Sequence, residues 1–164
     1  MALPNKVLPG FSAALYCQSG ATPTVLTTAQ LSLVASVSPI AVSGNLLPVE
    51  AIPAFGQDDA VASFSVAGSR QSDKIPVQAA PTSMTITAAW NPSDTNLLLM
   101  RADAYSGVID RTYVISVTDG TNIVYYAFNG RVGQFQIDSQ PGAEAKCTFT
   151  IHPRGNQYGW SNNA

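Results

Sequence analysis

Residues 83–128 read SMTITAAWNPSDTNLLLMRADAYSGVIDRTYVISVTDGTNIVYYAF, and this stretch decides the fold class. Apolar and polar residues alternate up to Trp90 and again from Thr112 onward, which is the two-residue period of a half-buried β-strand. A Leu-rich segment without that alternation lies between the two runs. Asp119-Gly120 then interrupts the second run and is a strong signal for a β-hairpin. The stretch therefore predicts a strand, a helix and a hairpin.

The segment before Gly107 predicts the chain's one good helix, over residues 92–105. Asn91 is a suitable N-cap, Pro92 suits the first helical position, and Asp94 would stand at the third, as in a capping box. Gly107 is the residue type that commonly ends a helix. Apolar residues recur along one stripe of this segment, so we expect the helix to pack on a sheet.

The same alternation predicts strands upstream and downstream of this stretch. The expected strands cover residues 11–18, 31–38, 61–67, 135–137 and 146–152. Connections between them are short, which favours an antiparallel order. With 164 residues the chain is long enough for one domain, residues 1–164, with its own core. We therefore predict a mainly β fold, an antiparallel β-sandwich with one flanking α-helix.

The composition is unusually poor in charge. Charged residues make up 11% of the chain, against about 25% in typical soluble domains. Eight basic residues are outnumbered by ten acidic ones, and no basic patch that would grip nucleic acid is visible. No apolar run is long enough for a transmembrane helix, and no signal-peptide core is present. Small polar residues replace charge, so we expect part of the surface to be buried against copies of the same chain.

Three segments do not fit a compact monomer. Residues 1–10 are either a frayed terminus or an arm that docks on a neighbour. Residues 39–60 form a long apolar loop, which is uncommon inside a compact domain. This loop either folds over its own core or reaches another subunit, and the second reading explains both its length and its apolarity. The polar tail, residues 153–164, carries two aromatic residues that usually find a partner surface.

These segments supply most of the candidate intersubunit contacts. They are Leu3, Val7 and Leu8 in the arm, Leu46, Leu47, Ile52 and Phe55 in the loop, and Tyr158 and Trp160 in the tail. Arg111 is a further candidate, because Asp110-Arg111 is either a surface ion pair of little energetic value or a contact between subunits.

No pattern in the sequence indicates catalysis, a cofactor or a metal. His152 is the only histidine and no Gly-x-Ser-x-Gly is present, so a structural role for His152 is favoured. Cys-x-x-Cys and paired histidines are also absent. Cys17 and Cys147 lie far apart, and without a signal peptide we expect both thiols to be reduced. The protein is expected not to be an enzyme.

The order of motifs in residues 83–152 points to a known family. A strand ending at Trp90 precedes a helix opened by Asn91-Pro92-Ser93-Asp94, and then come Asp110-Arg111, Thr118-Asp119-Gly120-Thr121, Phe128-Asn129-Gly130-Arg131-Val132, Pro141-Gly142 and the strand 146–151. In this order the motifs resemble the major tail tube proteins of long-tailed bacteriophages. The resemblance covers less than half of the chain.

This resemblance implies a ring-forming barrel segment within the β fold, and stacked hexameric rings that form a tail tube. It implies contacts through the arm, the loop and the tail, and a lumen that encloses the tape-measure protein before double-stranded DNA passes during ejection. Tail terminator and distal tail proteins would be further partners. The protein would reside in the virion tail, after assembly in the host cytoplasm, without inserting into a membrane.

Two further expectations follow from the implied tube. A neutral or acidic lumen would let DNA slide, because every phosphate-neutralising lysine or arginine adds affinity. The basic residues are therefore expected to pair with acids mostly across subunit interfaces. Charge reversal at Arg111 is then expected to weaken assembly more than folding.

Several other classes share parts of this pattern. A secretion-system tube subunit has the same expected ring geometry, and a pilin or a capsid-decoration subunit would also be structural. A β-sandwich that binds carbohydrate or a receptor would need clustered exposed aromatic residues. Tyr125 and Tyr126 are candidates for such a cluster, but neighbours in a strand point to opposite faces.

Overall fold

The computed structural model describes residues 12–26, 39–64, 73–140 and 142–161. The strands are β1 (Ser12–Cys17), β2 (Leu46–Leu47), β3 (Gln57–Phe64), β4 (Asp73–Pro81), β5 (Met84–Ala89), β6 (Asp110–Thr118), β7 (Ile123–Asp138) and β8 (Lys146–Ser161). The helix α1 spans Thr95–Ser106, and a single 3-10 turn covers Ser43–Asn45.

Six strands form one antiparallel sheet in the order β2-β1-β6-β7-β8-β5. The remaining two, β3 and β4, pair only with each other among the described residues. The mainly β, antiparallel fold with one flanking helix is therefore confirmed. Of the two arrangements expected, the sandwich and the barrel segment, the structure has the second, because the main sheet curls into half a barrel.

A short segment, residues 46–50, joins the two edges of this curled sheet and is called the closing segment. Leu46 and Leu47 pair with β1 at one edge. At the other edge Val49 forms a bridge to Ala88 of β5, and the Glu50 N–H donates to the carbonyl of Thr87 over 2.9 Å. Both edge strands thus receive backbone partners from one piece of chain, which protects them from pairing with other strands.

The main core fills the concave side of the sheet. Leu97 and Met100 of α1 are buried there, together with Leu47 of the closing segment. Tyr113 of β6 and Phe128 of β7 stack with ring centroids 5.6 Å apart. A second, smaller cluster lies on the opposite face, where buried Ile40, Val114 and Ala127 meet the half-buried side chains of Tyr16, Leu26, Ala41 and Tyr125. The sheet is therefore covered on both faces.

The helix starts three residues later than the sequence predicts. Asp94 is the N-cap, and its Oδ1 accepts hydrogen bonds from the Asn96 and Leu97 N–H groups at 2.9 and 3.1 Å. Asn91, the expected N-cap, instead accepts from the Ser93 N–H in the turn before the helix. Both side chains suit the N-cap position, and the tertiary structure selects the second of them. The predicted end is confirmed, because Gly107 adopts φ 65° in the left-handed region.

The last two strands are longer than expected. β7 extends from Ile123 to Asp138 with two register shifts against β8, between Ala127 and Asn129 and between Gly133 and Gln136, and β8 continues through Ser161. Residues 153–161 of the predicted polar tail therefore belong to the sheet, which corrects that boundary. Gly130 makes this close pairing possible, because a Cβ there would lie only 3.1 Å from the His152 carbonyl oxygen and from the Ile151 Cγ2.

Other expectations are confirmed or lie outside the described residues. Strand β1 matches the expected strand at 11–18, and the hairpin turn at Asp119-Gly120 is confirmed between β6 and β7. Residues 1–10 with Leu3, Val7 and Leu8, the strand expected at 31–38, residues 65–67 and residues 162–164 lie outside the described residues.

Replacing the buried leucine of the closing segment tests its role. Leu47→Ala removes a side chain that is 2% exposed, so we expect the free energy of unfolding to fall by about 2–5 kcal/mol. Leu46→Ala is the matched control, because Leu46 is 41% exposed and its truncation should change stability by less than about 0.5 kcal/mol. Urea denaturation followed by circular dichroism measures both, and equal losses would contradict the assigned burial.

Candidate assembly surfaces

Arg111 anchors α1 to the sheet from inside the molecule. Its side chain is 3% exposed and pairs through Nε and Nη2 with both carboxylate oxygens of Asp103. Its Nη1 donates to the Ser19 carbonyl over 2.7 Å. The guanidinium therefore joins the helix, strand β6 and the loop after β1. The hydrogen bond to Asp103 raises the pKa of Arg111 and keeps it charged in this buried setting.

A second arginine holds the connection between α1 and β6. Arg131 pairs with Asp110 over 2.9 Å and donates to the carbonyls of Gly107 and Val108, just past the helix end. Asp110 also accepts from Arg154 over 2.8 Å. One carboxylate thus links three strands, β6, β7 and β8, while Arg131 satisfies the carbonyl groups that follow the helix.

These pairs correct three expectations. Asp110 and Arg111 do not pair with each other, because neighbours in a strand point to opposite faces. Arg111 is buried within one chain and has no free surface to offer a second subunit. Four basic residues of the described ranges, Arg111, Arg131, Lys146 and Arg154, pair with acids of their own chain, whereas pairing mostly across subunit interfaces was expected.

The loop predicted at 39–60 ends earlier than expected, because β3 begins at Gln57, and the apolar residues between 39 and 56 pack mostly on the chain's own core. Leu47 is buried, and Ile52 and Phe55 are half-buried against the main core. The Phe55 ring meets the Tyr126 ring edge to face, with centroids 5.0 Å apart. Of the two readings of this segment, folding over its own core therefore holds for these three residues. Leu46 is the candidate that keeps a large exposed apolar surface, and its intersubunit role stays a prediction.

The β3–β4 hairpin presents unpaired backbone. It is anchored at its base, where the Thr82 N–H donates to the Gly56 carbonyl over 3.1 Å. Among the described residues each strand pairs only with the other, so each has one edge without a partner. Pro76 and Pro81 have no backbone N–H group, so β4 lacks two hydrogen-bond donors, whereas β3 contains no proline. The edge of β3 is therefore the more complete template for another strand.

The aromatic residues of the expected tail lie in β8. Tyr158 and Trp160 are opposite Ala127 and Tyr125 in the register of β7 and β8. Their backbone is therefore part of the main sheet, and a contact between subunits at these two residues stays a prediction. Tyr125 and Tyr126 do point to opposite faces, since Tyr126 packs against the main core and Tyr125 against the smaller cluster.

The reactive side chains found by sequence lie apart from one another. The His152 Nδ1 is 2.9 Å from the Ser83 Oγ, and no carboxylate is recorded as the histidine's hydrogen-bond partner among the described residues. Cys17 and Cys147 are both free and buried. Within the described part of the chain, no three His, Cys, Asp or Glu side chains are grouped as a metal site would need, and no helix there has the length and apolarity to span a membrane.

In the buried pair of Arg111 and Asp103, Asp103 is the residue that the sequence did not single out. It follows Met100 by three residues and so lies on the inward face of α1, where it is 1% exposed. A carboxylate on the buried face of a helix requires a basic partner. The inward position of Asp103 on α1 is therefore the signal from which a basic partner could have been predicted. That partner, Arg111, lies eight residues further along the chain.

Comparison of this geometry with known proteins gives structural matches and no sequence matches. No protein-family model and no curated protein sequence matches the chain. The fold is similar to a chain in the anti-feeding prophage baseplate, in a six-fold symmetrised cryo-EM structure, with a TM-score of 0.62, 11% identity and 100% of both chains covered. It is similar to a chain in the cap that terminates the anti-feeding prophage tube, with a TM-score of 0.62, 13% identity, and 100% of this chain and 95% of that one covered. The chain has the phage tail tube fold.

A tail tube itself is also among the similar structures. The SPP1 tail tube matches with a TM-score of 0.53 and 8% identity, over 91% of this chain and 75% of that one. The tail tube fold therefore covers nearly the whole chain, well beyond the residues 83–152 that carry the resemblance in sequence.

Removing Arg111 should destabilise the tail tube fold itself. Arg111→Ala leaves Asp103 buried without a partner, so we expect the free energy of unfolding to fall by about 3–5 kcal/mol. Arg154→Ala is the control: Arg154 is exposed, and Asp110 keeps Arg131, so the loss should stay below about 1 kcal/mol. Denaturant unfolding measures both.

A compensating double variant separates the ion pair from general damage. Arg111→Met with Asp103→Leu replaces both charges by apolar groups of similar size, which should recover most of the lost stability. A double variant no more stable than Arg111→Ala would contradict the unpaired carboxylate as the cause.

The two thiols should be unreactive in the folded chain. Burial raises the pKa of the Cys17 thiol to about 12 and also raises the pKa of Cys147, and the thiolate is the nucleophile. We expect no reaction with Ellman's reagent in native buffer at pH 8, and two thiols per chain after denaturation in guanidinium chloride. One rapidly reacting thiol in the native protein would contradict the assigned burial.

Proposed function

We propose that this chain is a structural subunit that polymerises as stacked hexameric rings into a tail tube, through which double-stranded DNA passes during ejection. The observation that carries the proposal is the match over the full length of both chains to a protein of a six-fold symmetrised tail assembly. The protein is then not an enzyme, and its working surfaces are those that contact copies of itself.

The unpaired edge of β3 supports self-assembly. β3 exposes Gln57, Asp58 and Val61 to solvent, and a strand edge without a partner is a template for pairing with another strand. Pairing of this edge with a strand of the next subunit would satisfy its backbone groups. A contact between two different edges repeats head to tail, and such a contact closes into a ring when its rotation allows.

The charge distribution supports a passive conduit. Four of the basic side chains in the described residues pair with three acids of the same chain, because Asp110 pairs with two of them, and the net charge is −2. A tube built from such subunits offers few cations for counterion release, so DNA would slide through it with little affinity. The tape-measure protein would occupy the lumen beforehand, and terminator and distal tail proteins would bind the tube ends in the virion.

Electron microscopy of the purified, untagged chain tests the proposal. At high protein concentration we expect negatively stained rings or tubes with a central channel, and six-fold symmetry in top views. Val61→Pro removes a backbone donor from β3 and should abolish the tubes, while Val61→Thr keeps the donor and should assemble normally. Circular dichroism and the melting temperature verify that both variants keep the main sheet.

Two results would oppose the proposal. Particles that remain monomeric at every concentration, also when mixed with a preformed tail initiator, would argue against a tube subunit. Rings without six-fold symmetry would be compatible with a tube subunit but would exclude the proposed hexamer.

A further inference from the structure

The outward face of α1 is apolar although it is exposed. Leu98 and Tyr105 lie seven residues apart along one exposed face of the helix, away from buried Leu97 and Met100, and they are 40% and 76% exposed. Val108 follows just beyond the helix and is 71% exposed. Large exposed apolar side chains grouped on one surface are typical of a contact with another protein, so this face is expected to be covered in the assembled protein.

A cation stands in the middle of this face. Arg101 lies one turn from both Leu98 and Tyr105, and its guanidinium carbon is 5.7 Å from the centre of the Tyr105 ring. Within the part of the chain that the structure describes, Arg101 belongs to none of the four ion pairs. Whatever covers this face should therefore combine apolar surface with a carboxylate.

The same chain carries matching carboxylates at another place. Asp138 and Glu144 line an open groove of about 330 Å³ at the connection between β7 and β8, together with Gln140, Ala143 and Lys146. Lys146 is paired with Glu50 over 2.6 Å. Neither Asp138 nor Glu144 belongs to one of the four ion pairs of the described residues, although Glu144 lies close enough to Lys146 to help raise the pKa of that lysine. With two carboxylates and one ammonium group, the groove carries more negative than positive charge.

We propose that the outward face of α1 docks on this groove of a second copy of the chain, with Arg101 paired to Asp138 or Glu144. This inference rests on the proposed self-assembly and assigns one of its contacts. The contact joins two different surfaces and is therefore head to tail, as a ring or a stack of rings requires. Tyr105 and Arg101 belong to the residue types that most often carry the binding energy of an interface.

A charge-reversal cycle tests the pairing. Arg101→Glu and Glu144→Arg each place like charges together, so each should raise the concentration needed for half-maximal assembly by about tenfold or more. The double variant has the net charge of the wild type and restores opposite charges, so its assembly should return to within about threefold of the wild type. Analytical ultracentrifugation at low salt gives the assembly midpoint of all four proteins.

The outcomes separate this contact from the proposed tube. If the wild type assembles and Arg101→Glu assembles equally well, the proposed contact is wrong and the proposed tube is unaffected. If each single variant is impaired and the double variant is no better than the worse of them, the two residues do not face each other. If the wild type never assembles, both proposals fail. The melting temperature of each variant is measured alongside and should stay close to that of the wild type, because neither side chain belongs to an ion pair among the described residues.

A photocrosslink locates the partner surface directly. Tyr105→p-benzoylphenylalanine, irradiated in a mixture of isotope-labelled and unlabelled chains, should give crosslinks between the two isotopic forms. Cleavage after Arg131 and Lys146 releases residues 132–146 as one tryptic peptide, which holds both carboxylates of the groove. Crosslinks to this peptide are expected. Crosslinks confined to other peptides, or to another protein when the chain is irradiated with its tail partners, would overturn the assignment.

Discussion

The backbone hydrogen bonds that residues 46–50 make to both edges of the main sheet are the constraint on which the rest of the structure depends. β1 and β5 are far apart in the strand order, yet one segment of five residues contacts both. The sheet must therefore stay curled, and its concave side becomes a closed space. Leu47, Ile52 and Phe55 belong to the same stretch of chain and pack into that space. The apolarity of this region thus serves the chain's own core first.

The charged side chains likewise make their contacts within the chain. Arg111 and Arg131 hold the two ends of the connection from α1 to β6, one by a buried pair with Asp103 and the other by bonds to Asp110 and to the carbonyls after the helix. A buried ion pair is costly to break, although it adds little over an apolar contact. Its value here is positional, because it fixes which side of α1 faces the sheet and hence which side is exposed.

What remains on the outside is a set of unlike surfaces. The edge of β3 offers backbone groups, the outward face of α1 offers apolar surface with one cation, and the β7–β8 groove offers carboxylates. Unlike surfaces on one chain suit repeated head-to-tail contact between copies of that chain.

The sequence by itself determined the antiparallel β class, the single helix with its Gly107 end, the hairpin at Asp119-Gly120 and the free thiols, because periodicity, turn chemistry and cysteine spacing are local properties. The order of its motifs also indicated the tail tube fold. The tertiary structure alone decided that Asp94 caps the helix and that β8 runs on to Ser161. It likewise decided that Leu47 is buried while Leu46 is exposed, and that Arg111 pairs with Asp103. These outcomes depend on which distant strands and side chains meet, and no local pattern in the chain encodes such contacts.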